Sequence, residues 1–77
     1  MADSDVQKRF GARVAEIRKL KAISQEELAL SSGLDRSYVG SVERGQRNIS
    51  IANIYKLATA LGVGPGDLLQ SLDGEGS

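Results

Sequence analysis

Val6, Phe10, Val14, Ile17 and Leu20 recur at helical spacing and lay one apolar stripe along a first helix. Lys8, Arg9, Arg13, Lys19 and Lys21 take much of its remaining surface. The pattern then restarts with a repeated punctuation. In "ISQEEL", Ser24 stands as an N-cap and Glu27, three residues on, completes a capping box. Ile23, just before the cap, is placed to staple onto Leu28. "LDRSYV" sets Asp35 as the cap, with Leu34 and Val39 as the staple pair. "ISIANI" does the same with Ser50, Ile49 and Ile54. "VGPGDL" puts Gly64 at the cap, Pro65 at the first helical position, and Val63 and Leu68 as the pair. Gly33, Gly45 and Gly62 fall where each of three helices needs a left-handed residue to end it. The spacing predicts helices over about residues 6–21, 25–32, 36–44, 51–61 and 65–72.

The fold class expected is all-α: five helices in one domain over residues 6–72, with a helix-turn-helix over about 25–44. Residues 1–5 are expected as a disordered acidic N-terminus and 73–77 as a flexible tail. Only Gly33 to Asp35 separate the second and third helices, so they must cross steeply. Ala29 is small enough for the backbones to approach there, and Gly33 lets the chain reverse without a Cβ clash.

The third helix carries the candidate chemistry. Stepping round it by about 100° per residue puts Val39 and Val42 together on a core face. Ser37, Gly40, Ser41 and Arg44 fall opposite, and Arg36 lies at their border in the first turn. A polar face of small residues fits a groove about 12 Å wide, the width of the DNA major groove. Arg36 is the candidate base reader, since its guanidinium can bond guanine O6 and N7 together. The Ser37 hydroxyl can bond a base or a phosphate. Tyr38, at the border of the buried face, suits half-buried packing or a DNA contact, and its position leaves both open. Gln25 opens the second helix, where a side-chain amide and free backbone N–H groups can hold a phosphate. Ser41, Arg44, Arg47 and Asn48 are candidate grips on the backbone beside the groove. Glu43 falls on the buried side, where a carboxylate needs a partner; Arg18, flanking the stripe of the first helix, is the candidate.

Composition narrows the alternatives. In 77 residues there is no cysteine and no histidine, which excludes disulfides, thiolate metal sites and the commonest general base. With no phosphate loop and no convergent carboxylates either, an enzyme is the weakest reading, and no cofactor or metal is expected. No apolar run reaches the roughly 18 residues of a membrane span, and Met1 to Asp5 lack a leader pattern, so a cytoplasmic protein is expected. Ten Lys and Arg balance ten Asp and Glu. Five of the acids lie at the two ends, however, so residues 6–66 hold ten basic against five acidic residues, a local +5. A polyanion responds to that local distribution rather than to the sum.

"SQEELALSSGLDRSYVGSVERGQRN", followed by "IYKLATALGV", resembles the phage-repressor and Cro type of helix-turn-helix, the Xre family. The resemblance runs from about Phe10 to Leu69, and "LDRSYVGSVERGQRN" is most similar to the controller proteins of restriction–modification systems. It implies a five-helix, lambda-repressor-like domain acting as a homodimer on a pseudo-palindromic operator in double-stranded DNA. It implies phosphate contact by Gln25, base or backbone contact by Arg36, Ser37 and Tyr38, and contacts from Arg47 and Asn48. It also implies an interior Arg18–Glu43 ion pair. Gly40 departs from the pattern, where a longer polar side chain is possible.

The fourth and fifth helices carry more apolar surface than one small core needs. Ile54, Leu57 and Leu61 are expected inside; Ile51, Tyr55, Leu69 and Leu72 are the candidate dimer interface. The function expected is transcriptional regulation set by protein concentration, with no small-molecule ligand and with RNA polymerase as a further candidate partner. The alternative is a protein-interaction module, such as an antitoxin or anti-activator. The Ser/Gly-rich third helix argues against it, because docking helices present large apolar anchors.

Overall fold

A computed structural model describes residues 3–73 as five helices: α1 (Asp3–Leu20), α2 (Gln25–Ser32), α3 (Arg36–Glu43), α4 (Ile51–Leu61) and α5 (Pro65–Asp73). The periodicity located four of these closely. α1 begins earlier than predicted, so Asp3 to Asp5, expected to be disordered, are helical. A carboxylate such as that of Asp5 is favourable in a first helical turn, facing the positive end of the helix dipole. Residues 1, 2 and 74–77 lie outside the described residues.

Each helix feeds one core. Val14 of α1, Leu28 of α2, Val39 and Val42 of α3, Leu57 and Leu61 of α4 and Leu68 of α5 are all essentially inaccessible. Phe10, Ile17, Ala29 and Ala58 complete it. The residues that precede the caps, Ile23, Leu34, Ile49 and Val63, are half-buried against this core, as the staple pattern requires. Leu20 departs from its stripe: it is the last residue of α1 and is 78% exposed.

The caps follow the sequence with one exception. Ser24 Oγ accepts from the Glu27 N–H at 3.0 Å, and the Ser24 N–H donates to Glu27 Oε1 at 2.9 Å. These bonds hold the Glu27 carboxyl below the usual carboxylate range, the backbone N–H of Ser24 contributing most. The charge therefore strengthens this cap at neutral pH, and the benefit is lost as pH falls through the lowered value. Ser50 Oγ accepts from Asn53 N–H, and the Gly64 N–H donates to Asp67 Oδ2. Asp35 has the extended backbone of an N-cap but makes no side-chain cap bond. Gly33, Gly45 and Gly62 adopt φ of 75°, 76° and 72°. Ala22 also sits at a positive φ of 57°, closing α1 where a glycine would be unstrained.

The position of α3 depends on a residue that the apolar pattern does not reveal. At Gly11 a Cβ would lie 2.1 Å from the Val42 carbonyl oxygen and 2.7 Å from that of Glu43. Here α1 and α3 touch backbone to backbone. Gly45 is needed twice over, for its positive φ and because a Cβ would meet Lys8 Cα at 2.7 Å. On the far side of α1, Arg13 ties α5 down, donating to the Asp67 carbonyl at 2.9 Å and to Gln70 Oε1 at 3.0 Å.

Gly11→Ala is expected to cost about 3 kcal/mol or more, beyond the usual range for one added methyl, because rigid backbone rather than a side chain must move. Urea denaturation measures this, and a loss below about 1 kcal/mol would show that α1 and α3 separate easily.

Candidate nucleic-acid interface

The candidate interface is built on a buried ion pair. Arg18 Nε donates to Glu43 Oε2 at 2.7 Å and Arg18 Nη2 to Glu43 Oε1 at 3.0 Å, a two-pronged match of guanidinium and carboxylate. The side chains are only 12% and 6% exposed. Arg18 Nη1 also donates to the Ile23 carbonyl at 2.9 Å, bracing the α1–α2 turn. The hydrogen bonds that Arg18 donates to Glu43 raise its pKa above the ordinary value, with burial opposing them. The pair expected from the helical wheel and the family resemblance is present, and it has a third member. Gln25 Nε2 donates to Glu43 Oε1 at 3.0 Å. The carboxylate at the end of α3 therefore orients the amide at the start of α2.

The outward side of α3 is narrower than the wheel predicts. Arg36, Ser37 and Arg44 are exposed. Gly40 is buried: an added Cβ would lie 3.1 Å from Arg44 Nη1 and 3.7 Å from Gln25 Oε1. The absence of a side chain at position 40 thus leaves room for the Arg44 guanidinium and the Gln25 amide over the middle of the helix. Gln46 Oε1 accepts from Arg44 Nε at 3.2 Å and helps to hold it there.

Ser41, expected among the phosphate contacts, is 7% exposed, and its hydroxyl is already used. It donates to the Tyr38 carbonyl at 2.7 Å and accepts from Arg47 Nε at 3.1 Å. The wheel treats α3 as isolated; the α3–α4 loop folds back and covers this position. Tyr38 packs in part and stays in part accessible. Its ring is half-buried against the core, and its hydroxyl accepts from Asn53 Nδ2 at 3.0 Å. The Arg47 guanidinium lies 5.6 Å from the ring centroid, within range of a cation–π contact.

Arg36 is open to solvent. Its nearest carboxylate, Glu26, is 3.7 Å away, with side chains 62% and 75% exposed, so the pair is screened and easily broken. Among the described residues no ion pair engages Arg44 or Arg47. Asn48 is exposed beside Arg47. The fold therefore sets Arg36, Ser37 and Arg44 along α3 and its C-cap, with Arg47 and Asn48 in the loop that follows; these five are exposed, and Gln25 is held against α3 by Glu43. Gln46 and Asn53 were not legible as site residues. Each acts by holding another side chain, which leaves no mark on the hydrophobic pattern.

The candidate dimer residues separate. Ile51 and Tyr55, one turn apart on α4, are 75% and 58% exposed. Leu57 and Leu61 are buried, and Ile54 is half-buried against the core, as expected. Leu69 is also half-buried against the core, so much of its surface is already used. The Leu72 side chain lies outside the described residues.

Residues 14–68 match the family described as Helix-turn-helix. The chain is similar to the control protein C.BamHI of Bacillus amyloliquefaciens, at 51% identity over 61 residues, covering 78% of this chain and 75% of that one. It is 37% identical over 73 residues to the control protein C.MunI of a Mycoplasma species, covering 94% and 99% of the two chains. Its fold superimposes with a TM-score of 0.79 on the crystal structure of the restriction-modification controller protein C.AhdI from Aeromonas hydrophila, at 61% identity, covering 80% of this chain and 94% of that one.

Removing one partner of the buried pair should be costly, because the other is left charged and unpaired. Glu43→Ala is expected to lower stability by about 3–5 kcal/mol. A thermal melt indistinguishable from wild type would show that Arg18 escapes to solvent when its partner is gone.

Proposed function

Because the chain belongs to the helix-turn-helix family, we propose that it is a homodimeric, sequence-specific regulator of transcription, the controller of a restriction–modification system that acts on its own promoter. The observation that carries this reading is the face of α3: Arg36 and Ser37 exposed in its first turn and Arg44 at its C-cap, with Gln25 held by Glu43 and Arg47 by Ser41. Arg36 and Ser37, in the first turn of α3, enter the major groove and read base edges. Gln25, Arg44, Arg47 and Asn48 bind phosphates and fix the register of the helix on the duplex. The controller-protein relatives support the finer assignment.

The dimer forms through α4. Ile51 and Tyr55 make an exposed apolar pair on a helix whose Leu57, Ala58 and Leu61 are buried in the core. A two-fold axis there sets two α3 helices about one turn of DNA apart, roughly 34 Å, so the operator is pseudo-palindromic. Regulation is by concentration, without a small-molecule ligand. The protein accumulates in the cytoplasm, dimerises and fills its operator, and the bound dimer recruits or blocks RNA polymerase. Among the described residues no helix is long and apolar enough to cross a membrane. The local excess of positive charge makes binding salt-dependent through counterion release.

A second reading has one observation in its favour. Leu30 on α2 is 84% exposed, an apolar anchor of the kind that a protein-interaction module uses. An antitoxin or anti-activator would present such a residue to its protein partner.

Selection from a random duplex pool with purified protein tests the first reading. A two-fold motif with half-sites about one turn apart is expected. With Arg36→Ala, the cognate site should bind about 1–3 kcal/mol more weakly, with one base position relaxed. No enrichment by folded protein would favour the interaction module. Ile51→Lys should convert dimer to monomer in sedimentation while leaving the helical spectrum intact. A persistent dimer would move the interface away from α4.

A further inference from the structure

We infer that Ser41 is a positioning residue for DNA binding: it holds Arg47 in place for a phosphate without touching DNA itself. The inference rests on the reading of Arg47 as a phosphate ligand. A serine hydroxyl has one proton to give, and here that proton goes to the Tyr38 carbonyl at 2.7 Å. Its oxygen accepts from Arg47 Nε at 3.1 Å, and the residue is 7% exposed. Little of Ser41 is left to meet a nucleic acid.

Arg47 gains what Ser41 gives up. Its Nε is tied to the serine, and its guanidinium carbon lies 5.6 Å from the Tyr38 ring centroid. That ring is itself fixed, because its hydroxyl accepts from Asn53 Nδ2 at 3.0 Å. A long side chain that would otherwise sample many rotamers is held from two sides. The terminal nitrogens remain for the two oxygens of a phosphate, the geometry in which a guanidinium binds best. Side-chain freedom is then largely lost before DNA arrives, so less of the contact energy is spent on ordering. Ser41 thus fixes Arg47 relative to α3, while Asn53 ties the same cluster to α4.

A double-mutant cycle on the full chain tests this, using fluorescence anisotropy on the selected operator duplex at several salt concentrations. Arg47→Ala should weaken binding and reduce the salt slope by about one. Ser41→Ala should weaken wild-type binding about threefold to tenfold and change binding by less than about 1.5-fold when Arg47 is already alanine. Ser41→Thr, which keeps the hydroxyl, should restore most of the affinity. A Ser41→Ala loss of equal size in both backgrounds, or no loss at all, overturns the inference; a general weakening of the fold would act equally in both. If Ser41→Ala melts below the assay temperature, Ser41→Cys takes its place, with similar volume and a poor acceptor. If Arg47→Ala changes neither affinity nor slope, the phosphate role of Arg47 fails first, and the inference about Ser41 fails with it.

Discussion

The bond between Arg18 and Glu43 is the constraint on which the rest of the arrangement depends. One guanidinium and one carboxylate, both nearly inaccessible, join the end of α1 to the end of α3. The same arginine braces the turn into α2 through the Ile23 carbonyl, and the same carboxylate orients Gln25 at the start of α2. Three helices and the first candidate phosphate ligand therefore share one polar junction. A buried pair of this kind contributes little net stability over a well-packed apolar pair. What it adds is direction: two prongs fix an angle, and a contact between alkyl groups does not.

Around that junction the candidate interface divides into braced and free side chains. Gln25 and Arg47 are held by Glu43 and Ser41. Arg36 and Ser37 stand in solvent in the first turn of α3. The division suits the two tasks of a DNA-binding surface. Phosphates lie at regular positions along any duplex, so ligands set in advance find them. Base edges differ from site to site, and reading them requires a side chain that can reach into the groove. Gly40 contributes by having no side chain, since the space above it holds Arg44 and Gln25.

The charge distribution fits the same surface. A chain with no net charge has little long-range attraction for a polyanion, but residues 6–66 carry an excess of five positive charges. Acidic ends weaken non-specific attraction while the arginines of the α3 region remain available at short range. Under the proposed function, binding then relies on contacts made in register and on two copies acting together.

The sequence alone determined the five helices, most of their caps and most of the core. These depend on neighbours within a turn, and the spacing of apolar residues and cap residues records such neighbours directly. The exposure of Arg36 and Ser37, the place of Gln25 at the start of α2 and the Arg18–Glu43 pair were legible, because each follows from helical rotation or from family resemblance. The tertiary structure decided the rest. It buried Ser41 beneath the returning α3–α4 loop, turned Tyr38 into a support through Asn53, exposed Leu20, and brought the α1 and α3 backbones together at Gly11. A helical wheel reports only which way a side chain points from its own axis. Whether that direction meets solvent, a loop or another backbone depends on how the helices pack, and helix-by-helix periodicity does not carry that information.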